Sequence, residues 1–172
     1  MNERRDLLRH FLAALAYRTQ KALRDAPADF GSFRLQPGLR TPEELVRHMT
    51  SVLGYSRTFF VGGSYWPEAL DSLASELARF HEMLADVAQH LEKGSELLSG
   101  MTEEQLLQGP FSDAMTHAGQ LAMLRRLASS PVAPENFIVA NIDKNRLGED
   151  QCLPASPDKI WPEAPEGWSP KQ

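Results

Sequence analysis

Residues 111–127 read Phe-Ser-Asp-Ala-Met-Thr-His-Ala-Gly-Gln-Leu-Ala-Met-Leu-Arg-Arg-Leu. At about 100° per residue, Asp113, His117, Gln120, Leu121, Leu124 and Leu127 share one helical face, and Arg125 and Arg126 point away from it. The spacing predicts a long helix from about Pro110 to Ser129, closed by Pro131. Its inward stripe is apolar in the second half and polar in the first. Burying a carboxylate, an imidazole and an amide is costly unless something satisfies them. A divalent metal would do so, because a carboxylate and an imidazole spaced i, i+4 can chelate one.

Three more long helices precede this one. The first reads from about Glu3 to Arg24, with Leu7, Phe11, Leu15 and Tyr17 or Thr19 on its inner side and Leu8, Leu12 and Ala16 widening the stripe. The second opens at Thr41-Pro42-Glu43-Glu44, which supplies a capping hydroxyl, a proline at the first helical position and a glutamate three residues after the cap. Gly62-Gly63 stops it. The third begins after Trp66-Pro67 and runs to about Lys93, with Leu70, Leu73, Leu77, Phe80, Leu84, Val87 and Leu91 at spacings of three and four. A second capping-box pattern, Thr102 to Gln105, predicts a short turn to Leu107, after which Gly109-Pro110 resets the chain. No segment alternates as a strand does. The expected fold is all-α: an antiparallel four-helix bundle over residues 1–130.

Residues 131–172 belong to the same domain but differ in composition. Seven prolines forbid a long helix there. Phe137, Ile138, Val139, Ile142, Trp161 and Trp168 are poor composition for a flexible tail. They predict an extended segment packed on the bundle and anchored by these apolar side chains.

The 172 residues suffice for one domain with a real core, and the net charge of −5 speaks against nucleic-acid binding as the main role. A single cysteine, Cys152, excludes an internal disulfide and a cysteine-based zinc cluster. No apolar run reaches membrane-spanning length, and residues 1–6 show no cleavable signal pattern, so the expected location is cytoplasmic.

His48 falls at the edge of the second helix's apolar stripe. Together with Asp113 and His117 it makes three candidate ligands from two helices, leaving open positions on the ion, as catalytic sites do. The competing reading is a hydrogen-bonded trio without metal. Zinc, nickel, manganese and iron all accept two imidazoles and a carboxylate. Gln120 is a candidate to orient a ligand from behind. Gly119, which costs a helix interior about 1 kcal/mol against alanine, either admits a close neighbour or is tolerated. Tyr55 packs or lines a pocket. His10 lies at a helix margin, His81 points outward, and His90 suits a helix C-terminus.

Residues 42–49, Pro-Glu-Glu-Leu-Val-Arg-His-Met, resemble the second-helix segment of the DinB-like (YfiT-like) helical bundles. Asp113-Ala-Met-Thr-His117-Ala-Gly119-Gln120 is similar to that family's His-x-x-x-His-x-Gly-Gln motif on the last bundle helix, with Asp113 in place of the first histidine. The resemblance covers about residues 1–130. It implies a divalent-metal site on His48, Asp113 and His117, zinc or nickel before manganese or iron, and a homodimer. It also implies a thiol-dependent transferase, of the kind that uses bacillithiol or mycothiol, or a metal-dependent hydrolase. The partners would then be a small-molecule substrate and a low-molecular-weight thiol. The alternative is a stress-associated or interaction protein that has lost the chemistry, favoured by Asp113 and by a tail lying over the site's mouth. The homodimer expectation also rests on Leu8, Leu12, Met83 and Leu84, apolar positions that one bundle seemed unable to bury.

Overall fold

Capping side chains start the first three long helices. The computed structural model of the chain describes residues 2–98 and 100–169. Asn2 caps α1 (Glu3–Leu23), its side chain accepting from the amides of Arg4 and Arg5. Thr41 and Glu44 close a reciprocal capping box at the head of α2 (Pro42–Val61), and Gly62, at φ 76°, ends it. α3 (Leu73–Glu92) begins at Ser72, whose hydroxyl accepts from the amide of Ser75. That is later than the Trp66-Pro67 start predicted from periodicity. Leu70, expected in the helical stripe, lies in the preceding loop, where its amide donates to Glu76. Thr102 and Gln105 form the second capping box, on the short α4 (Glu103–Leu106). No strand occurs among the described residues; the one extended pairing is an isolated bridge between Glu135 and Pro157. Among the described residues no helix is long and apolar enough to cross a membrane.

The break expected at Gly109-Pro110 does not occur. Leu107–Phe111 form a π-helical turn that leads directly into α5 (Ser112–Leu127). Pro110 has no amide to donate, and the wider turn accommodates it inside the helix. The turn also changes the helix's phase. Leu106 and Phe111 are five residues apart, about 140° on a regular α-helix, yet both are fully buried.

α1 packs on α3 and α5, and α2 packs on α3 and α5, so the four long helices enclose a shared core. Leu12, Leu15, Met49, Leu53, Phe80, Leu84 and Leu121 are fully buried there. α1 is rotated from the expected stripe: Leu8, Leu12 and Ala16 lie in the core and Leu7 is 70% exposed. Leu8, Leu12, Met83 and Leu84, whose surplus suggested a dimer, are all buried within one chain. α5 differs too. Its buried face runs through Ala114, His117, Ala118, Leu121 and Arg125, while Asp113, Gln120 and Leu127 stand at the exposed margin.

Arg125, which its spacing directs away from the expected inward stripe, is buried. Its guanidinium donates to the carbonyls of Ala22 (3.0 Å), Arg24 (3.1 Å) and Asp25 (3.3 Å) at the end of α1, and to Ser130 O (2.8 Å). One side chain thus caps α1 and fastens the end of α5 to it. His81 is a second correction. It is buried, with Nδ1 2.6 Å from the Leu147 carbonyl, not turned outward.

Residues 131–169 run along α1 by polar ties. Lys144 pairs with Asp6 (2.9 Å), Arg9 donates to Asn145 (2.9 Å), Tyr17 Oη donates to Glu135 (2.5 Å), Lys21 to Ala133 O (2.5 Å) and Arg24 to Gln151 O (2.8 Å). The apolar anchors are fewer than expected. Trp161 is buried and meets Trp168 edge-on, with ring centroids 4.2 Å apart. Phe137 packs edge-on against Tyr17 beneath the Arg18 guanidinium. Ile138 and Val139 are exposed, because a short 3₁₀ turn at Phe137–Val139 directs them off the surface.

Candidate metal centre

The capping box fixes where α2 begins, and His48 follows less than two turns later on the side that meets α5. The π turn fixes the phase of α5. Asp113 in its first turn and His117 one turn on therefore face α2. The nitrogens of His48 and His117 and a carboxylate oxygen of Asp113 all lie within 4.8 Å of one another. His117 Nε2 is 3.4 Å from Asp113 Oδ1, and the two imidazole rings meet nearly edge-on, with centroids 4.7 Å apart at 73°.

His117 is buried, His48 half-buried, and the Asp113 carboxylate half-exposed. The site is therefore a rim between core and solvent. On the far side of His117, Nδ1 lies 2.8 Å from Gln120 Oε1. With the amide oxygen accepting there, Nδ1 carries the ring proton and the Nε2 lone pair turns toward Asp113 and His48. Burial lowers the pKa of His48 from its ordinary value, Arg40 and His117 lower it further, and Asp113 opposes them. His48 is thereby biased to the neutral imidazole that ligates metals.

The chemistry of these donors suits a divalent ion, with one pair at ligand spacing and all three within 4.8 Å. In a tetrahedral site with bonds of about 2.1 Å, neighbouring ligands stand about 3.4 Å apart, the separation found between His117 and Asp113. Two neutral nitrogens and one carboxylate oxygen suit a borderline ion and leave coordination positions free. The free side opens onto two cavities that meet at His48, Ser51 and Trp66. One, of about 670 Å³, is lined by Tyr55, Val52, Pro110 and Asp113 among others; the second, of about 420 Å³, includes Arg34, Arg40 and Arg47.

Sequence reasoning named the three candidate ligands and Gln120, and the structure brings all four together. It missed Arg40 and Trp66, which lie in loops where periodicity carries no information. It missed Glu76, fully buried and held by Arg47 and Arg79. Of the two readings of Gly119, the tolerated one fits, and the close approach is at Gly54, which sequence reasoning did not single out. Nothing stands within 4 Å of where a Cβ would sit on Gly119, whereas a Cβ on Gly54 would overlap the Tyr65 ring. Tyr55, weighed mainly as a packing residue, is exposed against Phe59 and lines the larger cavity. Residues 131–169 line neither of these cavities and border a separate one, with Lys21, Arg24 and Trp168. His10 is exposed, and His90 stacks on Phe60. Set against family models, curated proteins and solved structures, the chain finds no match in any of the three.

Proposed function

We propose that this chain is a DinB-like antiparallel four-helix bundle, strapped by its C-terminal segment, that holds a divalent metal ion through His48, Asp113 and His117. It uses the ion in thiol-dependent transfer or in hydrolysis. The observation that carries the reading is the convergence of three ligand atoms from two helices within 4.8 Å, beside open cavities. A bound divalent ion supplies Lewis acidity that makes a thiol or water a better nucleophile near neutral pH. The chain's own residues hold and orient the ligands. Gln120 fixes the His117 tautomer, and the flank of apolar residues at Val52 and Pro110 limits water on one side. Two imidazoles and one carboxylate accept zinc, nickel, manganese and iron alike, and the family resemblance puts zinc and nickel first.

A second reading has its own support. Gln120 and Asp113 flank His117 on its two nitrogens, a hydrogen-bonded trio that stands without any metal. On that reading the protein is a non-enzymatic interaction or stress-associated bundle. Metal analysis of protein purified without a histidine tag separates the two. The metal reading expects about one ion per chain, lost on dialysis against a chelator and regained on adding zinc or nickel. Metal-free protein that takes up neither ion sinks it.

A further inference from the structure

The two cavities beside the triad differ in character. In the smaller one, three arginines face one glutamate. Arg34 pairs with that Glu44 at 3.0 Å, and Arg47 with the buried Glu76 at 3.5 Å. Arg40 has no carboxylate partner among the described residues. In a chain of net charge −5, an arginine left unpaired beside His48 is a local centre of positive potential, and a bound divalent ion adds to it.

The larger cavity offers an apolar wall. Trp66 is 84% exposed and Tyr55 is 57% exposed, two of the most costly side chains to leave in water. Trp66 is not carried there by a slack loop. Its neighbour Tyr65 is seated against the bare backbone of Gly54, and further along Leu70 N is tied to Glu76 at 2.9 Å. The indole is held out between the cavities and lines both.

Resting on the metal reading, we propose that the ligand of this centre is a small carboxylic acid with an aromatic or apolar body. The carboxylate seats on the Arg40 guanidinium, and the body lies against Trp66 and Tyr55, beside His48 and Asp113. A planar guanidinium donates two parallel hydrogen bonds to a carboxylate. A phosphate dianion fits less well, because a single unpaired cation faces it and Glu44 lines the same cavity. The arrangement assigns the anion to one end and the reacting atom to the other, so the acid is positioned and its body is what meets the metal ligands.

The test uses the full chain and phenylacetate, with phenylacetamide as its neutral counterpart. Zinc uptake is titrated first, then each compound is titrated calorimetrically into the zinc-loaded protein. Phenylacetate is expected to bind more tightly than phenylacetamide. Arg40→Gln, titrated after it has been loaded with zinc, should weaken phenylacetate by about tenfold while leaving phenylacetamide unchanged. Trp66→Ala should weaken both compounds and spare zinc. Equal binding of acid and amide by protein that takes up zinc overturns the ligand assignment and leaves the metal reading standing. So does an Arg40→Gln variant that binds phenylacetate as the parent does. Failure to take up zinc or nickel overturns the metal reading instead. The same titrations on metal-free protein then decide the carboxylate subsite by its dependence on Arg40.

Discussion

At the residue scale the triad makes predictions that separate ligation from packing. His117→Ala should abolish metal retention, measured as ions per chain in tag-free protein. Asp113→His should retain or tighten zinc and nickel, because imidazole is the softer donor; equal metal content in wild type and His117→Ala would count against the site. Gln120→Leu removes the acceptor at 2.8 Å from His117 Nδ1 and should weaken the metal by about 10–100-fold without unfolding the protein. Arg125 lies outside the site and acts on stability. Arg125→Met removes the donor shared by the carbonyls of Ala22 and Arg24, at a cost of about 3 kcal/mol in urea unfolding. An unchanged midpoint would refute its capping role. The triad was legible in the sequence because two ligands one helical turn apart need only a helix to meet. Arg125 was not, since what it binds is the end of a helix about a hundred residues earlier, and a charged side chain on its own reads as solvated.

Elements show where periodicity suffices and where it fails. The capping boxes at Thr41 and Thr102 were readable because their partners lie three residues away. The π turn was not. Gly109-Pro110 has the composition of a break, and only the burial of both Leu106 and Phe111 requires the chain to remain helical across it. The rotation of α1 that exposes Leu7 was hidden for a related reason: apolar residues flank both sides of the true stripe, and sequence spacing alone does not choose its centre. His81 belongs to this scale because it joins α3 to the tail. Burial lowers its pKa below the ordinary 6.5, with the Leu147 carbonyl opposing. The unfolded chain then binds the proton more readily than the folded one, so stability is lost as pH falls below about 6.5 toward the folded value. The slope from this group is at most about 1.4 kcal/mol per pH unit. Urea midpoints measured between pH 7.5 and pH 5 should fall more for wild type than for His81→Gln, and parallel curves would exclude His81 as the cause.

For the whole molecule, the expected helical class holds, and its four long helices meet through a shared core. The tail was foreseen as a packed segment, but hydrophobicity misidentified its anchors. Tyr17 and Lys21 on α1 and Arg24 just past its end reach its backbone and side chains across more than a hundred residues, and no local pattern encodes such pairs. Trp161→Ala should cost about 3 kcal/mol, as removal of a buried tryptophan does, while Ile138→Ser and Ile160→Ser should each shift stability by less than about 0.5 kcal/mol. Comparable losses at all three positions would contradict this placement of the segment. We also propose a homodimer, and light scattering across a tenfold concentration range tests it: a monomer mass throughout would rule it out. Residues 131–169 line neither cavity at the triad. Small solutes therefore enter and leave without waiting for that segment to move. Their association rates should follow solvent viscosity as for any open groove, and should be the same whether the tail is free or cross-linked to α1.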